Sequence, residues 1–254
     1  MLKIIVSGCF GYMGRNVRDI IENDKDKIVV AGVDIAEGVS DFPVYKSFNL
    51  IDGKADVIID FSHPSCLEGM LEYAVKTKTP AVVATTGLNN EQKELIKKAS
   101  ESVPVFFTAN MSLGVNLLSE LVKKAAAVLG GKFDVEIVEK HHNKKLDAPS
   151  GTALMLADAA SETLPYSPDY IYDRHSVRKK RDANEIGIHS VRGGTIVGEH
   201  DVLFAGEDEV ITLSHTAYSK RVFAAGAVNA AAFIADKKNG IFTMADLLSD
   251  VLSR

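Results

Sequence analysis

The sequence predicts an α/β protein in which a doubly wound parallel sheet is joined to a second α+β domain with a mixed sheet. Short apolar runs alternate with helical stretches over the first hundred residues, which is typical of a parallel sheet covered by helices on both faces. After residue 110, strand-like runs follow one another with few helices between them, which indicates a mixed sheet. A chain of 254 residues fits either one large unit or two modest domains.

The first hundred residues supply the elements of the parallel sheet. Apolar, β-branched runs predict five strands, at residues 2–6, 28–33, 57–61, 81–84 and 103–108. Apolar residues at helical spacing predict three helices, at residues 13–22, 64–76 and 90–100. Since ligands bind at the carboxyl ends of the strands in such sheets, the segments after each strand are where we expect a site.

The rest of the chain supplies the second domain and a final helical segment. A helix is predicted over residues 115–129, ending at a glycine pair that suits a C-cap, with a strand at residues 133–139 after it. A helix from Pro149 to about Glu162 and strand-rich stretches at residues 185–197 and 201–214 complete this part. We predict that residues 1–110 and 222–254 form a dinucleotide-binding domain and residues 111–221 a substrate-binding domain.

The composition excludes several classes of protein. A net charge of −5 gives no general basic surface for nucleic acid. The two cysteines, Cys9 and Cys66, exclude a disulfide scaffold. The apolar start of the chain is too short for a signal peptide, and no run approaches the ~18 apolar residues of a membrane span. We expect a cytoplasmic protein that binds neither nucleic acid nor a membrane.

Three glycines follow the first predicted strand with the spacing G-x-x-G-x-x-G. Such a turn lets the backbone approach a pyrophosphate, whose charge is met by the N–H groups at the start of the next helix. It favours a Rossmann-type sheet that binds a dinucleotide. We predict that the cofactor contacts Gly8, Cys9, Phe10, Gly11, Tyr12 and Met13. The alternative is a tight strand-to-helix turn without a ligand.

The end of the second predicted strand carries Asp34, near the ~20-residue spacing at which a carboxylate meets the ribose 2′-hydroxyl. Ile35 follows, so a 2′-phosphate would face a carboxylate without an adjacent arginine. We therefore predict NADH as the preferred cofactor over NADPH. The alternative is that Asp34 is a strand-end turn residue.

Two further strand ends carry small or polar residues where the nicotinamide half of the cofactor is expected. We predict cofactor contacts at Ala84, Thr85 and Thr86, and at Thr108, Ala109, Asn110 and Met111.

The segment from Glu139 to Ala153 concentrates chemistry at the junction of a strand and a helix. Ser150, Gly151 and Thr152 are expected to offer unpaired backbone N–H groups and a helix dipole to an anion such as a carboxylate. Lys144 and Lys145 add local positive charge, which favours a small anionic substrate.

Two adjacent histidines, His141 and His142, open this segment. In an extended chain they point in opposite directions, so together they do not ligate one metal ion readily, and we predict no metal site. A histidine near its ordinary pKa, or a lysine whose pKa neighbouring cations lower, delivers a proton at neutral pH.

The segment HHNKKLDAPSGTA, residues 141–153, resembles the signature of the dihydrodipicolinate reductases of lysine biosynthesis, also described as 4-hydroxy-tetrahydrodipicolinate reductases. The resemblance covers nearly the whole chain. Its other motifs lie at residues 8–14, 58–62, 85–87, 110–116 and 197–200.

This resemblance implies a pyridine-nucleotide enzyme that reduces the cyclic imine derived from 4-hydroxy-tetrahydrodipicolinate to tetrahydrodipicolinate. It implies that His141 and Lys145 are the acid/base residues, and that His142, Gly151 and Thr152 bind the substrate dicarboxylate. It also implies a homotetramer joined through the sheet of the second domain.

The chain departs from the family pattern at three positions. Tyr12 stands where many members have a basic residue, and Ile35 where many have arginine, which weakens the case for NADPH. Met111 stands where an aromatic residue is frequent, so a stacking role there is in doubt.

Three alternatives stay open. One is a nicotinamide-dependent dehydrogenase of another two-domain family, which leaves the DAPSGT helix start unexplained. Another is an NAD-binding sensor, which binds the cofactor without turnover. The third is phosphate contact by the basic run Arg178 to Arg181, which is more typical of a solvated face.

Overall fold

A computed structural model describes residues 1–253, which fold as two units. One comprises Met1–Leu113 together with the chain from Arg221 onward, and the other is Gly114–Lys220. The elements in chain order are β1 (Leu2–Ser7), α1 (Tyr12–Glu22), β2 (Lys27–Val33), β3 (Val44–Tyr45), β4 (Val57–Asp60), α2 (Leu67–Thr77), β5 (Ala81–Val83), α3 (Asn90–Ser100), β6 (Pro104–Phe107), α4 (Leu113–Leu129), β7 (Asp134–His141), α5 (Gly151–Ser161), β8 (Asp169–Ile171), β9 (Glu185–Arg192), β10 (Gly198–Ala205), β11 (Val210–Ala217), α6 (Arg221–Ile234), β12 (Gly240–Phe242) and α7 (Met244–Leu252).

The first unit is built on a seven-stranded sheet in the order β12-β6-β5-β4-β1-β2-β3. Every strand pair in it is parallel. Successive side chains of a strand point to opposite faces, so Ile4 and Val6 belong to the core on the side of α1 and α6. Ile5 belongs to the core on the side of α2 and α3. The sheet is therefore buried on both faces, as a doubly wound fold requires.

The alanine-rich helix α6 closes one of these cores. A Cβ at Gly226 would lie 1.7 Å from the carbonyl oxygen of Met111, so the helix backbone approaches that segment closely. Among the described residues, no helix is long and apolar enough to cross a bilayer.

The second unit is built on a five-stranded sheet in the order β11-β10-β7-β9-β8. β7, β8 and β9 run parallel, whereas β10 pairs antiparallel with both β7 and β11. One face packs on α4 and α5, with Ile137, Phe204 and Leu156 in the core. The predicted fold class, a doubly wound parallel sheet plus a mixed sheet, is confirmed.

The predicted start of α5 at Pro149 is wrong. The helix begins at Gly151, and Ser150 is its N-cap, with extended backbone and a side chain that accepts a hydrogen bond from the N–H of Ala153. Pro149 therefore lies before the cap, because the Ser150 hydroxyl accepts the N–H of the third helical residue and so makes Ser150 the N-cap.

Candidate active site

The glycine turn between β1 and α1 has little room for side chains. Gly8 has a φ of +72°, and a Cβ there would lie 2.6 Å from the carbonyl oxygen of Phe61. A Cβ at Gly14 would lie 2.0 Å from the carbonyl oxygen of Gly8. Gly11 is the N-cap of α1 and makes no side-chain cap. The start of α1 is thus uncovered by side chains, which fits the approach of an anionic group.

The side chains between these glycines differ in their exposure to solvent. Cys9 and Phe10 are buried in the core, and Met13 packs against it. Burial raises the pKa of the Cys9 thiol to about 11, so this cysteine stays protonated at neutral pH. Only Tyr12 carries a largely exposed side chain in this turn. Contacts from Cys9 and Phe10 to a ligand would therefore come from their backbone.

Asp34 ties the end of β2 to the glycine turn. Its carboxylate accepts hydrogen bonds from the N–H of Phe10 at 2.8 Å and from the N–H of Ala36 at 2.9 Å. These two bonds give Asp34 a structural role in the turn. A carboxylate offers about four acceptor positions, so these two bonds leave capacity for a ribose hydroxyl.

A lysine that was not predicted to belong to the site lies beside Asp34. The Nζ of Lys46 donates to the carbonyl oxygen of Ile35 at 2.9 Å. Lys46 reaches this loop because β3 pairs in parallel with β2. No local sequence signal connects the two segments.

The remaining predicted cofactor positions also follow strands of the parallel sheet, at the edge where β1 and β2 end. Thr85 follows β5, is buried, and donates from Oγ1 to Asp60 Oδ2 at 2.7 Å. Asn110 follows β6 and accepts the N–H of Ser112 at 2.9 Å, and Met111 is buried. The others, placed at the same edge, are Ala84, Thr86, Thr108 and Ala109.

In the second unit, the last residue of β7 is His141, whose ring is held by a buried glutamate. Its Nδ1 lies 2.6 Å from Oε2 of Glu139, which has no exposed surface. Arg192 on β9 donates to both oxygens of this carboxylate, each at 2.7 Å. Burial acts to raise the pKa of Glu139, but hydrogen bonds from Arg192, Ser190, His141 and Ser150 outweigh it and lower the pKa to about 2. Glu139 is therefore an anion at neutral pH.

The pKa of His141 is lowered from its ordinary value. Burial is the main cause, and the hydrogen bond and charge of Glu139 oppose it. The charges of Lys145 and Arg192 act in the same direction as burial. His141 therefore loses its proton more readily than a free histidine does.

A second histidine packs against the first. The rings of His141 and His200 meet edge to face, with their centroids 5.2 Å apart. Burial, with a smaller contribution from His141, lowers the pKa of His200 to about 4, so His200 is neutral at pH 7. The sequence marks His200 only as part of the motif at residues 197–200.

The prediction that Ser150 offers a free backbone N–H is wrong, because this group donates to Glu139 Oε1 at 3.1 Å. The Oγ of Ser150 lies 2.9 Å from Nε2 of His200. Gly151 is exposed, and no atom lies within 4 Å of the place where its Cβ would be. Gly151 and Thr152 are the first two residues of α5, at the positive end of its dipole.

The predicted lysines differ in their surroundings. The Nζ of Lys145 lies 2.9 Å from Asp147 Oδ1, and its N–H donates to the carbonyl oxygen of His142 at 3.1 Å. Lys144 is exposed. The Nδ1 of His142 is buried and has no hydrogen-bond partner among the described residues. The turn at residues 142–145 thus places both lysines close to the end of β7.

Sequence reasoning missed Glu139 and Arg192 as functional residues. Glu139 stands two positions before His141, and the period of a strand puts the two on one face, so a signal was present. Arg192 lies opposite His141 in the β7–β9 pairing, and no local signal marks it.

Two residues of the basic run in the second unit, Lys179 and Arg181, are held in ion pairs. Arg181 contacts Asp134 at 2.7 Å and Glu136 at 2.9 Å. Lys179 lies 3.2 Å from Glu185. These pairings favour a structural role for the run over phosphate binding. Within residues 1–253, no group of three or more His, Cys, Asp or Glu side chains is arranged to hold a metal ion.

Comparisons with known proteins agree over both units. Residues 2–111 match the family described as dihydrodipicolinate reductase, N-terminus, and residues 114–248 match dihydrodipicolinate reductase, C-terminus. The 4-hydroxy-tetrahydrodipicolinate reductase of Caldanaerobacter subterraneus subsp. tengcongensis is 52% identical over 98% of both chains. The enzyme of that name from Clostridium novyi is 44% identical, again over 98% of both chains.

A solved structure has the same fold. It is a dipicolinate-bound dihydrodipicolinate reductase from Paenisporosarcina sp. TG-14, which is 25% identical and has a TM-score of 0.79. The similarity covers 96% of this chain and 97% of that one. From the family match and the full-length identity, the chain belongs to the dihydrodipicolinate reductase family of oxidoreductases.

Proposed function

We propose that this chain reduces 4-hydroxy-tetrahydrodipicolinate, by way of the dihydrodipicolinate form, to tetrahydrodipicolinate in lysine and diaminopimelate biosynthesis. One observation carries the proposal: a buried carboxylate, Glu139, bonds both the ring of His141 and the backbone N–H at the start of α5. A proton-transfer group and an anion-binding helix start are thereby held side by side. A cyclic dicarboxylate imine needs both of these features.

The family and the Rossmann-type sheet imply a nicotinamide cofactor, which supplies the hydride when bound. The turn at Gly8, Gly11 and Gly14 fits its pyrophosphate, because a Cβ at Gly8 or Gly14 would clash and the start of α1 is uncovered. Asp34 is proposed as the contact to the adenosine ribose. We propose NADH as the preferred cofactor, with NADPH also used.

His141 and Lys145 are the proposed acid/base residues. Because the ionised Glu139 only accepts hydrogen bonds, Nδ1 of His141 carries a hydrogen and Nε2 is the atom that takes up or releases a proton. Lys145 adds a second proton donor, and its charge lowers the pKa of His141.

The start of α5 is the proposed site for a substrate carboxylate. Gly151 and Thr152 present the backbone there, and His142 and Lys144 lie in the turn before it. The role of Ser150 in substrate binding is that of the cap, since its own N–H is bonded to Glu139. The dipicolinate bound by the Paenisporosarcina protein, itself a dicarboxylate, supports a substrate of this class.

We also propose that the first unit binds the dinucleotide and that the second binds the substrate and joins the subunits of a homotetramer through its sheet. The cytoplasmic location stays a prediction.

An assay coupled to dihydrodipicolinate synthase tests the proposed reaction. The product of the synthase is supplied in place, and the oxidation of NADH and of NADPH is followed by absorbance. We expect turnover that depends on the synthase, with the larger kcat/KM for NADH. Cofactor binding without turnover would support a sensor instead and refute the proposal.

A further inference from the structure

A buried carboxylate connects three segments of the second unit. Glu139 receives hydrogen bonds from the ring of His141 at 2.6 Å, from Arg192 at 2.7 Å to each oxygen, and from the N–H of Ser150 at 3.1 Å. The partners belong to β7, to β9 and to the N-cap of α5. Removing a carboxylate from water is costly, and these four hydrogen bonds offset that cost and hold the Glu139 side chain in one position.

We propose that Glu139, held by Arg192, is a positioning residue. It fixes the tautomer of His141 and holds the ring of His141 in a fixed position relative to the first turn of α5. This inference rests on the proposed function, in which His141 transfers a proton. Glu139 itself touches neither substrate nor cofactor in this scheme. It acts through His141.

The tautomer follows from the chemistry of the two groups. A carboxylate that is ionised has no hydrogen to donate, so Nδ1 of His141 is the donor in the 2.6 Å contact. In the neutral imidazole, Nε2 then carries the lone pair. A Cβ at Gly198 would lie 3.1 Å from this Nε2, so the absence of a side chain at Gly198 leaves room beside the reacting nitrogen.

Arg192 keeps the carboxylate in place and also reaches the lysine turn. The same Nη2 that bonds Glu139 lies 2.7 Å from the carbonyl oxygen of Asp147. The side chain of Asp147 contacts the Nζ of Lys145 at 2.9 Å. The arginine thus links the residue that orients His141 to the residue that contacts Lys145.

A purely structural role for Glu139, as an anchor for α5, is the competing explanation. Both explanations expect a less stable variant. Only the positioning role predicts that a Glu139 variant also has a changed tautomer of His141 and a changed pH profile of kcat/KM. The charged and titratable groups around His141 set this profile. They are Glu139 on β7, Lys145 in the turn after β7, Arg192 on β9 and His200 on β10.

The test replaces Glu139 by glutamine, which preserves the size of the side chain and removes its charge. Glu136→Gln is the matched control, because Glu136 lies on the same strand and also bonds arginines and a histidine. We expect Glu139→Gln to lower kcat at least tenfold, with a smaller change in KM. We expect Glu136→Gln to stay within twofold of wild type.

The pH profile of kcat/KM separates the two explanations, because a purely structural role for Glu139 predicts no change in it. Since Glu139 raises the pKa of His141, its loss lowers that pKa. The basic limb of kcat/KM therefore moves to lower pH in Glu139→Gln. An unchanged limb with unchanged kcat would overturn the inference.

Solid-state nitrogen NMR of protein labelled at histidine tests the tautomer without any assay. His141 is assigned by the signal lost in His141→Gln. In wild type at high pH we expect hydrogen on Nδ1, and in Glu139→Gln we expect hydrogen on Nε2 in a substantial fraction. Hydrogen on Nε2 in wild type would overturn the inference. Because this measurement uses the wild-type protein, it tests the inference even if Glu139→Gln does not fold.

The same spectra separate this inference from the proposed function. A wild-type protein without reductase activity, but with hydrogen on Nδ1 that is lost in Glu139→Gln, refutes the function and supports the positioning. An active protein whose tautomer and kcat are unchanged in Glu139→Gln supports the function and overturns the positioning.

Discussion

The Oγ of Ser150 lies 2.9 Å from Nε2 of His200, so the residue that caps α5 is bonded to the ring that packs on His141. The cap is therefore part of the site and not only part of the helix. The same hydroxyl oxygen accepts the N–H of Ala153 at 3.1 Å. One side chain thereby determines both where α5 begins and how His200 is held.

Ser150→Ala is expected to lower the free energy of unfolding by about 1 kcal/mol through loss of the cap. It is also expected to raise the KM for the substrate several-fold, because the start of α5 frays where a carboxylate would bind. Urea unfolding and steady-state kinetics measure the two effects. Asn89→Ala is the control, since Asn89 caps α3 in the first unit. A substrate KM that rises equally in both variants would contradict the proposed site.

Stability is expected to fall as the pH drops, with His200 as one cause. Burial holds the pKa of His200 near 4, below the value of 6.5 for a free histidine, so the folded state binds fewer protons than the unfolded state in this range. The contribution of His200 is complete above pH 6.5 and is lost between pH 6.5 and 4. By linkage it amounts to about 3 kcal/mol. Urea unfolding at several pH values measures this effect. Between pH 6.5 and 4, the free energy of unfolding should fall less steeply with decreasing pH for His200→Gln than for wild type.

His141→Gln and Lys145→Ala are each expected to lower kcat roughly a hundredfold, which is the scale of general acid–base catalysis. The binding of NADH, measured by fluorescence, should persist in both. Lys180→Ala, which alters an exposed lysine of the second unit, is the control. Turnover at the wild-type rate in both active-site variants would refute the proposed acid/base pair.

Gly14→Ala is expected to weaken NADH binding at least tenfold, because its Cβ would lie 2.0 Å from the carbonyl oxygen of Gly8 and force the turn apart. Gly69→Ala is the matched control in the same unit. Gly69 lies inside α2, and no atom is within 4 Å of its would-be Cβ. This control should bind NADH as wild type does and gain up to about 1 kcal/mol of stability from helix propensity. Equal NADH affinities in the two variants would argue against cofactor binding at this turn.

Lys46→Ala is expected to lower kcat/KM for NADPH several-fold and to leave the value for NADH within twofold. Lys46 donates to the loop after Asp34 and contacts no carboxylate among the described residues, so its charge is available to a 2′-phosphate. Steady-state kinetics with both cofactors measures the ratio. An equal loss for the two cofactors would show that Lys46 only supports the loop.

The pattern of the sequence was sufficient for the long elements. Helix α3 occupies Asn90–Ser100 as predicted, because a capping box of Asn89 and Gln92 marks its start and apolar residues repeat at helical spacing. The strands β3, β8 and β12 were not predicted. Each has only two or three residues, which is too short to show an alternating pattern.

The site was only partly accessible from the sequence. His141 and Lys145 share one short segment with the start of α5, and local reasoning brings them together. Arg192 and Lys46 reach their partners through strand pairing, which aligns residues far apart in the chain. Periodicity within a segment carries no information about such pairings.

The return of the chain to the first unit has a consequence for synthesis on the ribosome. Ala227 and Ala231 of α6 are buried against the same core as Ile4 and Val6, and β12 pairs with β6. A nascent chain that ends before Arg221 lacks the helix that covers this face of the sheet. The apolar surface of the sheet on this face therefore stays uncovered during synthesis until residues 221–234 have been translated.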